Sequence, residues 1–345
     1  MKYILNIKTF FIVNLLVIYT TLFFLTSCSN QEQQIENINI ERIAIENFDD
    51  EIFSINENNL IKKDSLFSTK YFPFYQYYLK EIIYFRQEMD SSHRLILDFV
   101  NDKDIKYTYL ETKKVFTPHV KQWLEEEIVK LHKHIRYYFP EKPLPKRYLF
   151  FISGFNFQIV YPENTDIIGI ATDMYLGYNH QVYQWLQWPQ YRIKQLQKEF
   201  IPVDIAKAWL FNNFPPDKYN NLLEHIIYYG KIIYALKHLT PHIHDTLIFS
   251  YSLKQWNYCK KYEKNLWAYF LEENKLYDNS PKTLSAYLND GPFTAAISKE
   301  CPPRIGMFVG YKIVESFMKK NDVNLQQLFN ETNAQKILQL SKYKP

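Results

Sequence analysis

From Thr9 to Asn30 the chain carries no charged residue, and Phe10 to Leu25 is almost wholly apolar. Lys2 and Lys8 precede this run with no acid among them. A basic start, an apolar run and then small residues form the pattern of an export signal rather than a folded element. Residues 1–27 are therefore read as a signal peptide. The run also approaches the ~18–20 apolar residues that span a bilayer, so an uncleaved anchor is the competing reading. Past it the chain turns polar and Gln/Asn-rich (SNQEQQIENI), which predicts a flexible tether over 28–38. The remainder, 39–345, shows no internal repeat and reads as a single domain.

Within that domain the periodicity changes from short alternating runs to long helical ones. Ile40-Glu41-Arg42-Ile43-Ala44-Ile45 alternates and predicts a first strand. Helical patterning covers Phe72–Arg86 and, more clearly, Thr117–Tyr138. Thr117 is placed to cap the second of these, with Pro118 at its first position. Val120, Trp123, Leu124, Ile128, Leu131 and Ile135 recur at three- and four-residue steps and predict a buried stripe. Arg147–Ile152, Phe157–Tyr161 and Ile167–Ala171 are short apolar or alternating runs separated by Gly154 and by Pro162–Asp166, and read as strands. After Asp173 the pattern is helical, in Tyr191–Lys198, Val203–Asn213, Tyr219–His238, Leu253–Leu271, Pro303–Lys320 and Leu325–Ser341. A small sheet with an early helix and a large helical C-terminal part is an α+β plan.

Only seven glycines occur, which argues against a loop-rich all-β architecture. Gly230 falls on the apolar face of the helix that carries Leu222, Leu223, Ile226, Ile227 and Ile233. A glycine there costs about 1 kcal/mol against alanine, so a close helix approach is the expected compensation. Gly306 and Gly310 stand one turn apart and would open a groove for another backbone. Lys312 and Glu315 interrupt the apolar run around them, which favours packing inside the protein over dimerisation in lipid.

Composition narrows the partners. The chain has 41 Lys+Arg against 37 Asp+Glu; residues 1–27 hold Lys2 and Lys8 and no acid, so the remainder carries 39 against 37. That near balance, without a basic arm, excludes nucleic acid as an expected partner. Aromatic residues make up 18 % of the chain and supply ample core for one domain of this length. Cys259 and Cys301 lack metal-site spacing and read as two isolated thiols, although export permits a disulfide.

No catalytic constellation stands out. The chain has no G-x-S-x-G elbow, no glycine-rich phosphate loop and no H-E-x-x-H helix. His132 and His134 are two apart and point different ways on a helix. His225 lies beside Glu224 with no second histidine one turn away. His238, His242 and His244 cluster around Pro241, where His242, His244 and Asp245 are possible metal donors. The ordinary reading is a solvated turn, with His238 complementing the helix dipole. Glu125-Glu126-Glu127 reads as the solvated face of its helix, and Asp166 and Asp173 as turn or cap residues. No metal and no cofactor are expected.

The apolar leader closes on Leu25-Thr26-Ser27-Cys28, which resembles the lipobox of bacterial lipoproteins. That resemblance implies cleavage before Cys28 and acylation of its thiol; Ser29 in the next position points away from inner-membrane retention. Further blocks are Gly169–Gly177 (GIATDMYLG), Tyr229–Tyr234 (YGKIIY), Gly291–Thr294 (GPFT), Arg304–Gly310 (RIGMFVG) and the terminal Ser341–Pro345. With the Trp256/Trp267 segment between them, they resemble the gliding-motility lipoprotein GldB family of Bacteroidetes over roughly the whole mature chain.

Membership implies an envelope lipoprotein held to a membrane by its N-terminal lipid, facing the periplasm or the cell surface. It further implies a role in surface gliding and in the associated type IX secretion machinery, through contacts with envelope proteins. The family is distantly similar to zincin-like metallopeptidases, but Asp204–Phe211 (DIAKAWLF) stands where the zinc-binding helix would be, without His or Glu. Tyr229 stands where a glutamate ligand would be, so a non-enzymatic scaffold without its metal motif is expected. Candidate interaction surfaces are the strip Gly169–Gly177 with Asp173 and Tyr175, and the turn with Lys231, His238, His242, His244 and Asp245. The competing readings are an exported metal-dependent hydrolase using Glu224, His225, His242 and His244, and a carbohydrate-binding lipoprotein suggested by the aromatic load.

Overall fold

The computed structural model describes residues 30–83 and 92–345. The leader, Cys28 and the end of the helix expected over Phe72–Arg86 lie outside the described residues.

Short β-branched and aromatic runs build one four-stranded sheet from β1 (Ile45–Asn47), β2 (Arg147–Phe151), β3 (Ile159–Val160) and β4 (Ile167–Ala171). Its order is β1-β2-β4-β3; β1 and β4 run parallel to β2, and β3 runs antiparallel to β4. Side chains on a strand alternate between faces. Arg147 and Phe151 accordingly meet Tyr71 and Phe74 on one side, while Tyr148 and Phe150 meet His132 and Phe116 on the other.

On the N-terminal side of β2 the chain forms α1 (residues 30–36), α2 (Phe48–Phe53), α3 (Leu60–Lys70), α4 (Phe74–Tyr77), α5 (Ser92–Asn101), α6 (Lys103–Val115) and α7 (Pro118–Tyr138). After the sheet come α8 (Gln181–Trp185), α9 (Gln190–Ile193), α10 (Ile201–Asn213), α11 (Leu222–Leu239) and α12 (Asp245–Phe249). α13 (Leu253–Lys261), α14 (Glu263–Glu272), α15 (Pro281–Leu288), α16 (Ile305–Lys320), α17 (Leu325–Asn330) and α18 (Ala334–Ser341) complete the chain. The architecture is α+β, with a small mixed sheet and a large helical part.

Several expected elements have different bounds, each for a local reason. Leu253–Leu271 divides at Tyr262 into α13 and α14. Leu325–Ser341 divides into α17 and α18, the latter capped by Asn333, whose side chain accepts from Lys336 N at 2.9 Å. Tyr191–Lys198 holds only the end of the four-residue α9 before the chain bends. Over its described residues, 30–38, the expected tether also departs from the reading. Residues 30–36 are helical, Ile35 is buried, and Gln31 Nε2 donates to the Tyr138 hydroxyl at 2.6 Å, so this piece lies on the body.

Two helices dominate the C-terminal part. Gly230 of α11 and Gly310 of α16 face each other at their crossing, where neither position has room for a Cβ. The close approach expected from each glycine is thus made by the two helices to one another. On the far side of the sheet, Phe48 is ringed by Phe67, Tyr71, Phe74, Tyr75 and Tyr78, with centroids 4.9–6.3 Å away. Much of the aromatic load is spent in this way, on interlocked edge-to-face packing. Cys259 and Cys301 are free, buried thiols.

Candidate functional site

α7 supplies the core with one face and a groove with the other. Leu124, Ile128, Leu131 and Ile135 are buried toward the sheet, and Thr117 caps the helix by accepting from Val120 N. The opposite face carries Lys121, Gln122, Glu126, Lys130 and Lys133 into an open groove of about 1400 Å³. Its other wall is α1, with Glu32, Ile35 and Glu36, and its end is closed by Pro241 and His242. Lys133 Nζ fixes α1 by donating to the Glu36 carbonyl at 2.6 Å. Four acids (Glu32, Glu36, Glu125, Glu126) line this groove with four bases (Arg42, Lys121, Lys130, Lys133), so it favours a partner of mixed charge over a polyanion.

At the closed end the third glutamate of the run behaves differently from its neighbours. Glu127 is only 6 % exposed, and its carboxylate meets His242 Nε2 at 2.5 Å and Lys130 Nζ at 2.8 Å. Burial pushes this carboxyl up, but the bonds from His242 and Lys130 outweigh it and hold the pKa below the ordinary glutamate value. A carboxylate depressed in the folded state stabilises fully above its unfolded pKa of about 4.5 and loses that contribution as pH falls through the folded value. His242→Ala is therefore expected to cost about 1 kcal/mol near neutrality, the half-exposed imidazole being partly screened. Urea unfolding of the variant and the parent should show this gap at pH 7 and show it shrinking once Glu127 is protonated. A gap independent of pH would rule out the pair as its source.

A family model described as gliding motility protein GldB matches residues 28–345. The chain belongs to the GldB family. No match was found among curated proteins or among solved structures. The family places this chain among the envelope proteins of gliding motility, and the matched region starts at Cys28. Among the described residues no helix is long and apolar enough to cross a membrane.

On this GldB-family scaffold the residues expected to form interaction surfaces scatter. Asp173 is fully buried and pins the end of β4 to the turn after β2, accepting from Ser153 N, Ser153 Oγ and Phe155 N at 2.9, 3.0 and 2.8 Å. Burial raises its carboxyl to about 6 against those three donors. Tyr175 is likewise buried, its hydroxyl donating to Asp204 at 3.0 Å. The strip Gly169–Gly177 is thus core almost to its end, because a strand followed by a tight turn carries it inward. Lys231 is also buried; its Nζ donates to the Glu331 carbonyl at 2.5 Å, and burial lowers it to about 8.

The turn residues stay nearer the surface. His238 is half-buried between the Tyr138 and Tyr234 rings and bonds the Tyr234 carbonyl at 2.8 Å. His244 is exposed and caps α12, while Asp245 pairs with Lys237 at 2.7 Å. Of the expected set, only His242 reaches the groove.

The hydrolase ligand set is not brought together. Glu224 and His225 stand in the first turn of α11, whereas His242 and His244 follow its last. A helix of this length separates them by about 25 Å. Glu224 is engaged at the helix start with Asn220 N and Asn221 Nδ2, at 2.7 and 3.2 Å. Among the described residues no three His, Cys, Asp or Glu side chains converge on a common point.

Sequence reasoning missed two groups. Glu127 hid inside a charge run, although its spacing from Leu124 and Leu131 already places it on the buried stripe. In the sequence Arg304 stands out only as the start of a glycine block. Its backbone is left-handed, with φ 55°, and its buried Nε has no hydrogen-bond partner. Neither feature has a sequence signal.

Proposed function

We propose that this GldB-family protein is a lipoprotein anchored through Cys28, serving gliding and type IX secretion by holding an envelope protein in the groove between α1 and α7. The observation that carries this reading is the docking of α1. Two peptide units separate Cys28 from Asn30, at most about 7 Å of chain. A lipid on Cys28 would therefore hold the groove against the bilayer surface, where a membrane-embedded or membrane-associated partner can reach it. Two acyl chains suffice for stable anchoring.

The same reading is non-enzymatic. α10, the helix that the sequence resemblance sets against the zinc-binding helix of the peptidases, turns Ile205, Ala206, Trp209 and Leu210 inward. The Trp209 indole is committed to the Pro143 carbonyl at 2.9 Å. With Tyr229 on α11 where the resemblance would put a carboxylate, the motif positions of these helices hold no ligand for a metal-activated water. Stoichiometric zinc in protein purified without chelators would contradict this. Sugar binding is the weaker reading, because the rings go mainly into the core.

The test is complementation of a gliding host that lacks its own family member. Cys28→Ser is expected to leave the protein unacylated and its leader uncleaved, with colony spreading and cargo secretion lost. A Cys28→Ser protein that is still processed and still membrane-bound would overturn the anchor.

A further inference from the structure

α10, α11, α12 and the start of α16 enclose a cavity of about 170 Å³. Ile232, Ile233, Leu236, Ile248 and Phe249 give it an apolar wall, and Phe211, unusually exposed for its size, stands at the edge. Two charged residues line it, Lys207 and Arg304, and both are cations; no acid is in the lining. This sets it apart from the groove beside α7, where acids and bases alternate.

Arg304 is incompletely used by the fold. One Nη2 proton goes to the Phe249 carbonyl at 3.0 Å, and Nε lies 3.4 Å from Asp290 without forming a hydrogen bond. Its Nη1 group has no protein partner among the described residues. The guanidinium is a fixed fork suited to carboxylate geometry. Lys207 is held only loosely by Asp204, at 3.3 Å.

We propose that this cavity binds an apolar monocarboxylate, the apolar group filling the pocket and the carboxylate meeting Arg304 and Lys207. A dry cavity of about 150 Å³ accommodates a benzene molecule, so the apolar part is a single ring or a branched or short aliphatic chain. Two sources have this chemistry: a short fatty acid, and the last residue of a peptide with a free C-terminus. Both desolvate an apolar group and leave one carboxylate to satisfy donors that the fold leaves open.

The test titrates the full mature chain with 3-phenylpropionate, with hexanoate and with an acetylated dipeptide ending in phenylalanine, read by calorimetry and by methyl NMR at Met307 and Ile233. Saturable binding is expected, at least about tenfold weaker for the matching amides. These controls need no variant. Arg304→Gln should weaken the acids and leave the amides unchanged, and Met307→Trp, which fills the cavity, should abolish both. Tighter binding of hexanoate assigns the lipid source and tighter binding of the dipeptide the peptide source; either supports the site. No saturation, equal binding of acid and amide, or binding that survives Met307→Trp would overturn it.

Discussion

Gly310→Ala is expected to destabilise the protein by about 3 kcal/mol or more, lowering its melting temperature by roughly 6 °C at least. An added Cβ would lie 2.5 Å from the Ile226 carbonyl carbon and closer still to its oxygen. Both are backbone atoms of α11, and a helix backbone has no rotamer with which to yield. The two helices must separate, which loosens the packing around the crossing, where Ile226 of α11 lies against Gly306 and Gly310 and both helices bury long apolar faces. The damage would extend to α18, which α16 holds through Ser316 Oγ and Lys320 Nζ on the Ser341 carbonyl, at 2.8 and 2.9 Å. Gly291→Ala is the matched control, because a Cβ there meets nothing closer than the Phe293 oxygen at 3.9 Å. Thermal melts should leave the Gly291 variant at the parent value. Equal melting of the Gly310 variant and the parent would mean that the crossing is looser than its geometry.

How much of this was legible in the sequence depended on whether burial left a pattern. β4 was readable to the residue, because five buried apolar positions in a row lie between a turn and an aspartate. α7 was readable because its stripe has helical period and its cap is local chemistry. The pairing of Gly230 with Gly310 was half readable: each announced a close approach, and only the fold shows that they approach each other.

Elsewhere burial was hidden by residue type. α6 turns Thr108 and Thr112 inward, so it has little apolar stripe to detect. α1 looked like a tether because one isoleucine, Ile35, does the burying among polar neighbours. The candidate site suffered in both directions. Asp173 and Lys231 belong to the candidate surfaces in the sequence, whereas both are buried with their hydrogen bonds satisfied inside. His242 was noticed as a metal donor, and its partner proved to be Glu127, 115 residues away in the chain. Long-range partners of this kind leave no local trace.

The docking of α1 yields the second large effect. Inserting about twenty Gly/Ser residues between Ser29 and Asn30 leaves the lipobox, the cysteine and the folded body intact. Such a linker has a root-mean-square reach of roughly 25 Å. It should free the groove from the bilayer and dilute it against a partner fixed there. Ile35 and the Gln31–Tyr138 bond keep α1 on α7, so stability should not change.

The most direct measurement is colony spreading and cargo secretion in the complemented host, with palmitate labelling and membrane fractionation run on the same cells. The expected result is a spacer variant that is acylated, membrane-bound and folded, yet at least about tenfold less active than the parent. Full activity with the spacer in place would contradict the claim that the protein works by presenting its groove at the membrane surface.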